Sequence, residues 1–399
     1  MTVLTEASTN YFQNIIKVQK AHNREIRKVS FIKDPHSQNV LMVTCSHDSL
    51  KIWSVTGDTH DTMSLAEIQE VKGWRNGVQD FDITNDGKLA ATVGVDSVLH
   101  QTTFMDDTRH TVDKTEKFDI GFMEIWFICI IPNQIVYATT SYSGSLVILD
   151  TTGKVIKTAP FNGVKQISAL DCSPDGKSIA VANNEGIVTI VDSENLSSRF
   201  NFEAHALKVR AVSFSPDSKR ILTGSDDKTV KLYEILNTKA EAVSTFCGHR
   251  NVVTAVQFDH SLDGQRFASC SNDSCVIIWS AQSAKPLHIF KDLHEGVISS
   301  ICFSFDNQFL ASVGEDRTIC VSQVDNGSRK MEEKFEESAR ESELQSQMHD
   351  GSNDNIHQYP SDLFVSEHKE EKEVKNVEDE LLGKAGKDVD AVSDEEKQS

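Results

Sequence analysis

Between residues 203 and 323 the chain alternates apolar and polar residues in short runs, and the runs recur. From Glu203 the segment EAHALKVRAVSFSPDSKRILTGSDDKTVKLYEI holds an alternating run, a turn at SPDS, a second run, an Asp and a third run. CGHRNVVTAVQFDHSLDGQRFASCSNDSCVIIWS from Cys247 follows the same plan, with its turn at SLDG. DLHEGVISSICFSFDNQFLASVGEDRTICVSQ from Asp292 follows it again, with its turn at SFDN. His205, His249 and His294 mark the repeat at intervals of about 44 residues. Alternation with period two between turn-forming clusters predicts strands. Four strands in roughly 40–45 residues, repeated, predict the blades of a β-propeller.

Earlier segments keep step. One runs from His22 through VSFIKDPHSQNVLMVTCSHDSLKIW to Trp53. The next starts at Gly73-Trp74, turns at Asn85-Asp86-Gly87 and carries Asp96. The third has Trp126, a turn at Pro132-Asn133 and a strand ending at Asp150, with Ser143 where Asp is usual. The fourth has SPDGK at Ser173–Lys177 and TIVD ending at Asp192. That makes seven blades of ~46 residues, the length such a repeat needs. Blade seven runs out of strands after Val324, while Asn14–Gln19 supplies a spare one ahead of His22. The N-terminal strand is therefore predicted to complete blade seven, closing the ring and removing its edge. The fold class expected is all-β: a seven-bladed propeller over residues 12–326, with an acidic, disordered tail over 327–399.

Charge changes the picture only in that tail. Residues 326–399 hold about 21 acidic and about 10 basic residues, roughly half the net charge of −20. They are nearly free of aromatics and cannot bury enough to offset their ordering entropy. An acidic chain without clustered Lys and Arg is a poor candidate for phosphate or nucleic-acid binding. The opening MTVLTEASTNYF has no basic and apolar signal regions, and the longest apolar run, Ile125–Ile131, is too short to span a bilayer. A soluble intracellular protein is expected. The eight cysteines lie mostly inside strand-like runs and show no CxxC spacing, so they read as small buried hydrophobes rather than metal ligands. No phosphate loop or HExxH motif is present, and neither a metal nor a cofactor is expected.

Three residue sets invite a chemical interpretation: His249, Ser271, Asp273 and Trp279; His22, Ser46, Asp48 and Trp53; His205, Ser225, Asp227 and Tyr233. His, Ser and Asp are the members of a hydrolase triad. A set that recurs once per repeat is not a single active site. It predicts instead a buried polar relay in which Asp accepts from His, His links to Ser, and the Trp or Tyr ends the chain. Blades two, three and four lack the His and are expected to rely on packing. Counting back four from the last apolar residue of each innermost strand gives a ring at the channel mouth: Arg27, Gln79, Trp126, Ser168, Arg210, Thr254 and Ser299. Trp and Arg are the types enriched at interface hot spots. Trp126, Arg27, Arg210, Gln79 and Ser299 are the candidate partner-binding residues, although Trp126 in the run IWFICII could equally face the core.

The runs AHALKVRAVSFSPDSKRILTGSDDKTVKLYE, DGKSIAVANNEGIVTIVD and ASVGEDRTICVSQ resemble the WD-repeat subunit of the Ski (superkiller) complex, which in animals is also a Paf transcription-elongation subunit. GWRNGVQDFDIT and the Trp126-to-Pro132 spacing add local support. The resemblance covers about residues 12–325; the acidic tail and the eroded SYSGSLVILD depart from it. It implies a non-catalytic scaffold of cytoplasm and nucleus. Its implied partners are a tetratricopeptide-repeat subunit and, through it, an RNA helicase feeding exosome-linked 3'-5' mRNA decay, together with Paf subunits. By position, the mouth ring corresponds to the region where such propellers grip short peptides. The alternatives are a substrate receptor of a ubiquitin ligase or a histone-peptide reader with the same fold.

Overall fold

Every described element of the computed structural model is a β-strand. The structure describes residues 15–32, 40–57, 63–74, 77–94, 96, 98–105, 111–121, 125–132, 136–141, 144–160 and 166–324. The expected tail, the limits at 12 and 326, and Ser143 lie outside the described residues. The strands form seven four-stranded sheets. Six are made of consecutive strands. In the seventh the order is Ile15–Val18, Ile319–Gln323, Phe309–Gly314, Ile298–Phe303. The N-terminal strand runs antiparallel to the last one, with Ile15 opposite Ser322 and Val18 opposite Ile319, as the missing fourth strand of blade seven required.

Burial follows position within the blade. The second strands are covered on both faces; all of Phe309–Gly314 is buried. Outer strands keep a solvent face, as in the alternating pattern of Ser198–Glu203. The apolar side chains sort into seven clusters, one for each pair of neighbouring blades. One of them joins Val29 and Phe31 of blade one to Val313 and Val321 of blade seven, so the ring is sealed by the same packing used at every other junction. Inner-to-second-strand turns need a left-handed residue: Gly176 has φ 72, and Ser218 and Asn307 take nearly the same value at 60 and 58. Gly176 can give this conformation without steric cost.

Candidate functional site

The channel mouth is built from a repeated irregularity. In the inner strands the pairing register skips the second residue: from Ile26 to Lys28, Val78 to Asp80, Ile167 to Ala169, Val209 to Ala211, Val253 to Ala255 and Ile298 to Ser300. In blade three the skip is wider, from Ile125 to Ile128. A bulge of this kind re-aims a side chain. All seven residues of the expected ring fall within these skips. Trp126 is 40% exposed while Ile125 and Ile128 are each 2% exposed, so its ring points out of the core. Arg27 and Arg210 are exposed, Gln79, Thr254 and Ser299 are half-buried, and Ser168 is buried.

Two ring members hold blades together. Ser168 Oγ donates to the Val209 carbonyl and Thr254 Oγ1 to that of Ile298, both at 2.5 Å. Arg210 makes a two-pronged pair with Asp226, and Arg27 approaches Glu25 at 3.7 Å. A second circle, missed in the sequence, lies beside the first. Asn184, Asp226, Asn272 and Glu315 each follow the end of a second strand. Their backbone N–H groups donate to the residue before the bulged strand: Gln166, Lys208, Val252 and Val297. The side-chain oxygens of Asn184 and Asn272 are buried without a hydrogen-bond partner. A cavity of about 360 Å³ lies against Gln166, Asn183, Asn184 and Glu185. The signal was present: in blades four to seven a polar residue separates the strand end from the turn acid.

The relay exists but uses other hydroxyls. Trp279 Nε1 donates to Ser269 Oγ at 2.8 Å, Ser269 lies 2.8 Å from His249 Nε2, and His249 Nδ1 lies 3.1 Å from Asp273 Oδ2. Indole nitrogen can only donate. The protons therefore run one way, from Trp279 to Ser269 to neutral His249 to the carboxylate. Ser271 is instead the acceptor for the Asp273 amide at 3.0 Å. Burial lowers the His249 pKa, which keeps it neutral. Burial opposes the Asp273 charge, but the Arg250 amide and His249 outweigh it and hold its carboxyl below the ordinary range. Ser269 is fully buried.

The other blades vary the theme. In blade five Thr223 replaces Ser225 as the hydroxyl on His205, and the Tyr233 hydroxyl donates to the Ala204 carbonyl rather than ending the relay. Ser225 accepts the Asp227 amide at 3.1 Å. In blade one Thr44, not Ser46, joins His22 and Trp53, at 2.8 Å from each. Asp48 takes the Ser46 hydroxyl, and Ser49 Oγ stands 3.3 Å from His22 Nδ1. The shorter turn there brings Ser49 to the place Asp occupies in longer turns. Burial pushes His22 down to about 4. Blade seven has a relay of His294, Ser312 and Asp316 without an aromatic end. Blade two is not held by packing alone: Trp74 Nε1 donates to Thr92 Oγ1 at 3.0 Å, in the place of the histidine.

Replacing Ser269 with Ala leaves His249 and Trp279 unpaired, at roughly 1–3 kcal/mol for each buried group. Ser271→Ala removes one turn acceptor and costs about 1 kcal/mol. Urea unfolding of both variants checks this. Equal losses would place the relay hydroxyl at Ser271 after all.

The wall below the mouth is lined by side chains that cap the exposed edge of the next inner strand. Asp82 accepts the Ile130 amide at 2.7 Å, Asp171 that of Phe214 at 2.8 Å, Gln257 that of Phe303 at 2.8 Å and Ser213 that of Phe258 at 3.4 Å. Between blades seven and one the Val29 amide donates to Ser300 Oγ at 3.4 Å. Between blades one and two the link is the Lys28–Asp80 ion pair at 2.7 Å. Between blades three and four it is a disulfide, Cys129–Cys172, which departs from the expectation of buried thiols. Cys45, Cys270, Cys302 and Cys320 fit that expectation. The wall thus carries three acids where the mouth ring has none, and burial raises Asp171 to about 7. Burial opposes the Lys28 charge too, but Asp80 and Asp82 outweigh it and hold the ammonium above its ordinary value. These acids are occupied by backbone N–H groups and Lys28. Among the described residues no group of three or more His, Cys, Asp or Glu side chains is arranged to hold a metal ion.

Residues 196–234, 240–280 and 284–321 match the family described as WD domain, G-beta repeat (WD40). Each match begins near an outer strand and ends in the third strand of the next blade, so sequence repeat and blade are offset by one strand. The chain is 29% identical over 223 residues to WD repeat-containing protein SL1-17 of Schistosoma mansoni, covering 54% of this chain and 69% of that protein. It is 32% identical over 143 residues to a guanine nucleotide-binding protein subunit beta-like protein of Encephalitozoon cuniculi, covering 35% and 41%. With protein hir1 of Aspergillus terreus it shares 26% over 196 residues, 45% of this chain and only 18% of that protein. The chain is an all-β, seven-bladed propeller carrying WD40 repeats, a fold that typically serves as a protein-interaction scaffold.

Proposed function

We propose that the chain is a non-catalytic docking scaffold of the Ski type, whose channel mouth takes a short peptide segment of a tetratricopeptide-repeat subunit. Through that subunit it joins an RNA helicase in exosome-linked cytoplasmic mRNA decay, and in the nucleus it works with Paf subunits in transcription elongation. The observation that carries the docking part is Trp126, a large aromatic left 40% exposed by a bulge at the mouth. Arg27, Arg210, Gln79 and Ser299 occupy the equivalent bulges of other blades. The resemblance of runs in blades four, five and seven, with local support from blades two and three, carries the assignment to this kind of complex.

The test is affinity purification of the full chain from cytoplasmic and nuclear extracts, with mass spectrometry of what co-elutes. A tetratricopeptide-repeat protein with a helicase is expected from the first, and Paf subunits from the second. Recovery of ubiquitin-ligase adaptors or histones in their place would overturn the assignment.

A further inference from the structure

Six of the seven blade junctions are linked at the channel wall by hydrogen bonds or an ion pair, and one by a covalent bond. Cys129 pairs with Ala138 in its sheet as Asp82 pairs with Ala91, so Cys129 holds the capping position of blade three. Its sulfur is bonded to Cys172 on the inner strand of blade four, across a sequence separation of 43 residues. The other wall position of blade three, equivalent to Asp80, is Phe127, which has no acceptor to offer. The Cys172 amide is already satisfied within its own blade by Asp171 at 2.9 Å. Blade four has Val181 where blade six has the relay hydroxyl of Ser269. Among the described residues, and apart from packing, the disulfide is the directional link between these two inner strands at the wall.

We propose that Cys129–Cys172 is a reversible redox latch across the junction of blades three and four, opened by thiol–disulfide exchange with small thiols of the glutathione class. The geometry sets the order of events. Cys129 is 4% exposed, whereas Cys172 is half-buried. The entering thiolate attacks the Cys172 sulfur, and the Cys129 sulfur leaves and takes a proton. A second thiolate then attacks the external sulfur of the mixed disulfide and releases Cys172, which takes the second proton. Two thiols become one external disulfide, and two electrons and two protons arrive on the protein. Among the other cysteines, burial pushes Cys45, Cys270 and Cys320 up to about 12, so they do not compete as thiolates. The latch lies three residues below Trp126 on one strand and four below Ser168 on the other. Opening it loosens the mouth on the side where the aromatic stands.

The latch does not depend on the docking proposal, and its test needs no partner. The full chain carrying Cys247→Ser, to remove an exposed thiol, is equilibrated in oxidised or reduced glutathione. Peptide mapping, thermal melting and amide hydrogen exchange are then compared. The oxidised form should contain the 129–172 cross-link and melt roughly 5 °C higher. Reduction should speed exchange about tenfold in strands 125–131 and 167–172, with little change in blade six. Adding Cys172→Ala should abolish the redox dependence and leave the melting point at the reduced level. Free thiols at both positions under oxidising conditions would overturn the latch. So would a melting point indifferent to redox state, or redox dependence that survives Cys172→Ala. If that variant fails to fold, mapping and melting of the parent chain still decide.

Discussion

A chain lacking residues 1–20 will melt roughly 10 °C or more below the full-length protein. The loss follows from what Ile15–Val18 does. It is the outer strand of blade seven, paired along Ile319–Ser322 in the register Ile15–Ser322, Ile16–Val321, Lys17–Cys320 and Val18–Ile319. Val18 packs against the cluster that joins blade one to blade seven. The next connection, Ala21 N–H to the Arg317 carbonyl at 2.9 Å, continues the seam. Removing the strand strips backbone partners from Ile319–Gln323, whose side chains are mostly buried, and leaves an open edge. Several backbone bonds at about 1 kcal/mol each, plus the buried area of Ile16 and Val18, come to roughly 4 kcal/mol. For a domain of this size each kcal/mol shifts the midpoint by about 2–4 °C. Differential scanning calorimetry checks the deletion, and Ile16→Pro checks the strand without shortening the chain. An unchanged melting point in both would mean the ring is closed by blade packing alone.

What could be read from residue order varied with how strictly each blade repeats. The blades beginning at Val209, Val253 and Ile298 show their strands by alternation and their turns by SPDS, SLDG and SFDN. The weak blade at SYSGSLVILD was still identifiable by position, because its neighbours set the spacing. The ring residues were legible because one bulge recurs at one offset. The direction of Trp126 was not, since IWFICII is apolar on both sides and only the wider skip between Ile125 and Ile128 turns the indole outward. The relay hydroxyl was misplaced for a related reason. Ser269 and Ser271 are two residues apart on the same strand, so a period of two cannot separate them; only the reach of His249 does. Trp74 escaped because it does a histidine's work with a different ring. The Cys129–Cys172 pair is separated by about one blade length. That puts both on inner strands of neighbouring blades, a coincidence that length alone does not mark as a contact.

If the mouth is the docking surface proposed above, Trp126→Ala will weaken binding of the partner recovered by affinity purification by roughly 30-fold, the equivalent of about 2 kcal/mol. A propeller holds its mouth rigid, so an aromatic displayed there can be buried by a peptide without ordering the scaffold first. The indole supplies apolar area and one donor. Arg210 lies at the corresponding bulge two blades away, already oriented by Asp226, and its guanidinium can meet a backbone carbonyl or a carboxylate of the peptide. Arg210→Glu sets two acids side by side at that point and should weaken binding by about tenfold or more. Neither change should lower the melting point by more than roughly 2 °C, because both side chains are exposed and outside the relay. Val243→Ser, on the outer strand of blade five where the side chain is 50% exposed, is the control on the rim. Titration calorimetry with the partner recovered by purification distinguishes the two surfaces. If Trp126→Ala and Arg210→Glu bind as the wild type does while Val243→Ser does not, the partner docks on the outer rim and the mouth is not the site.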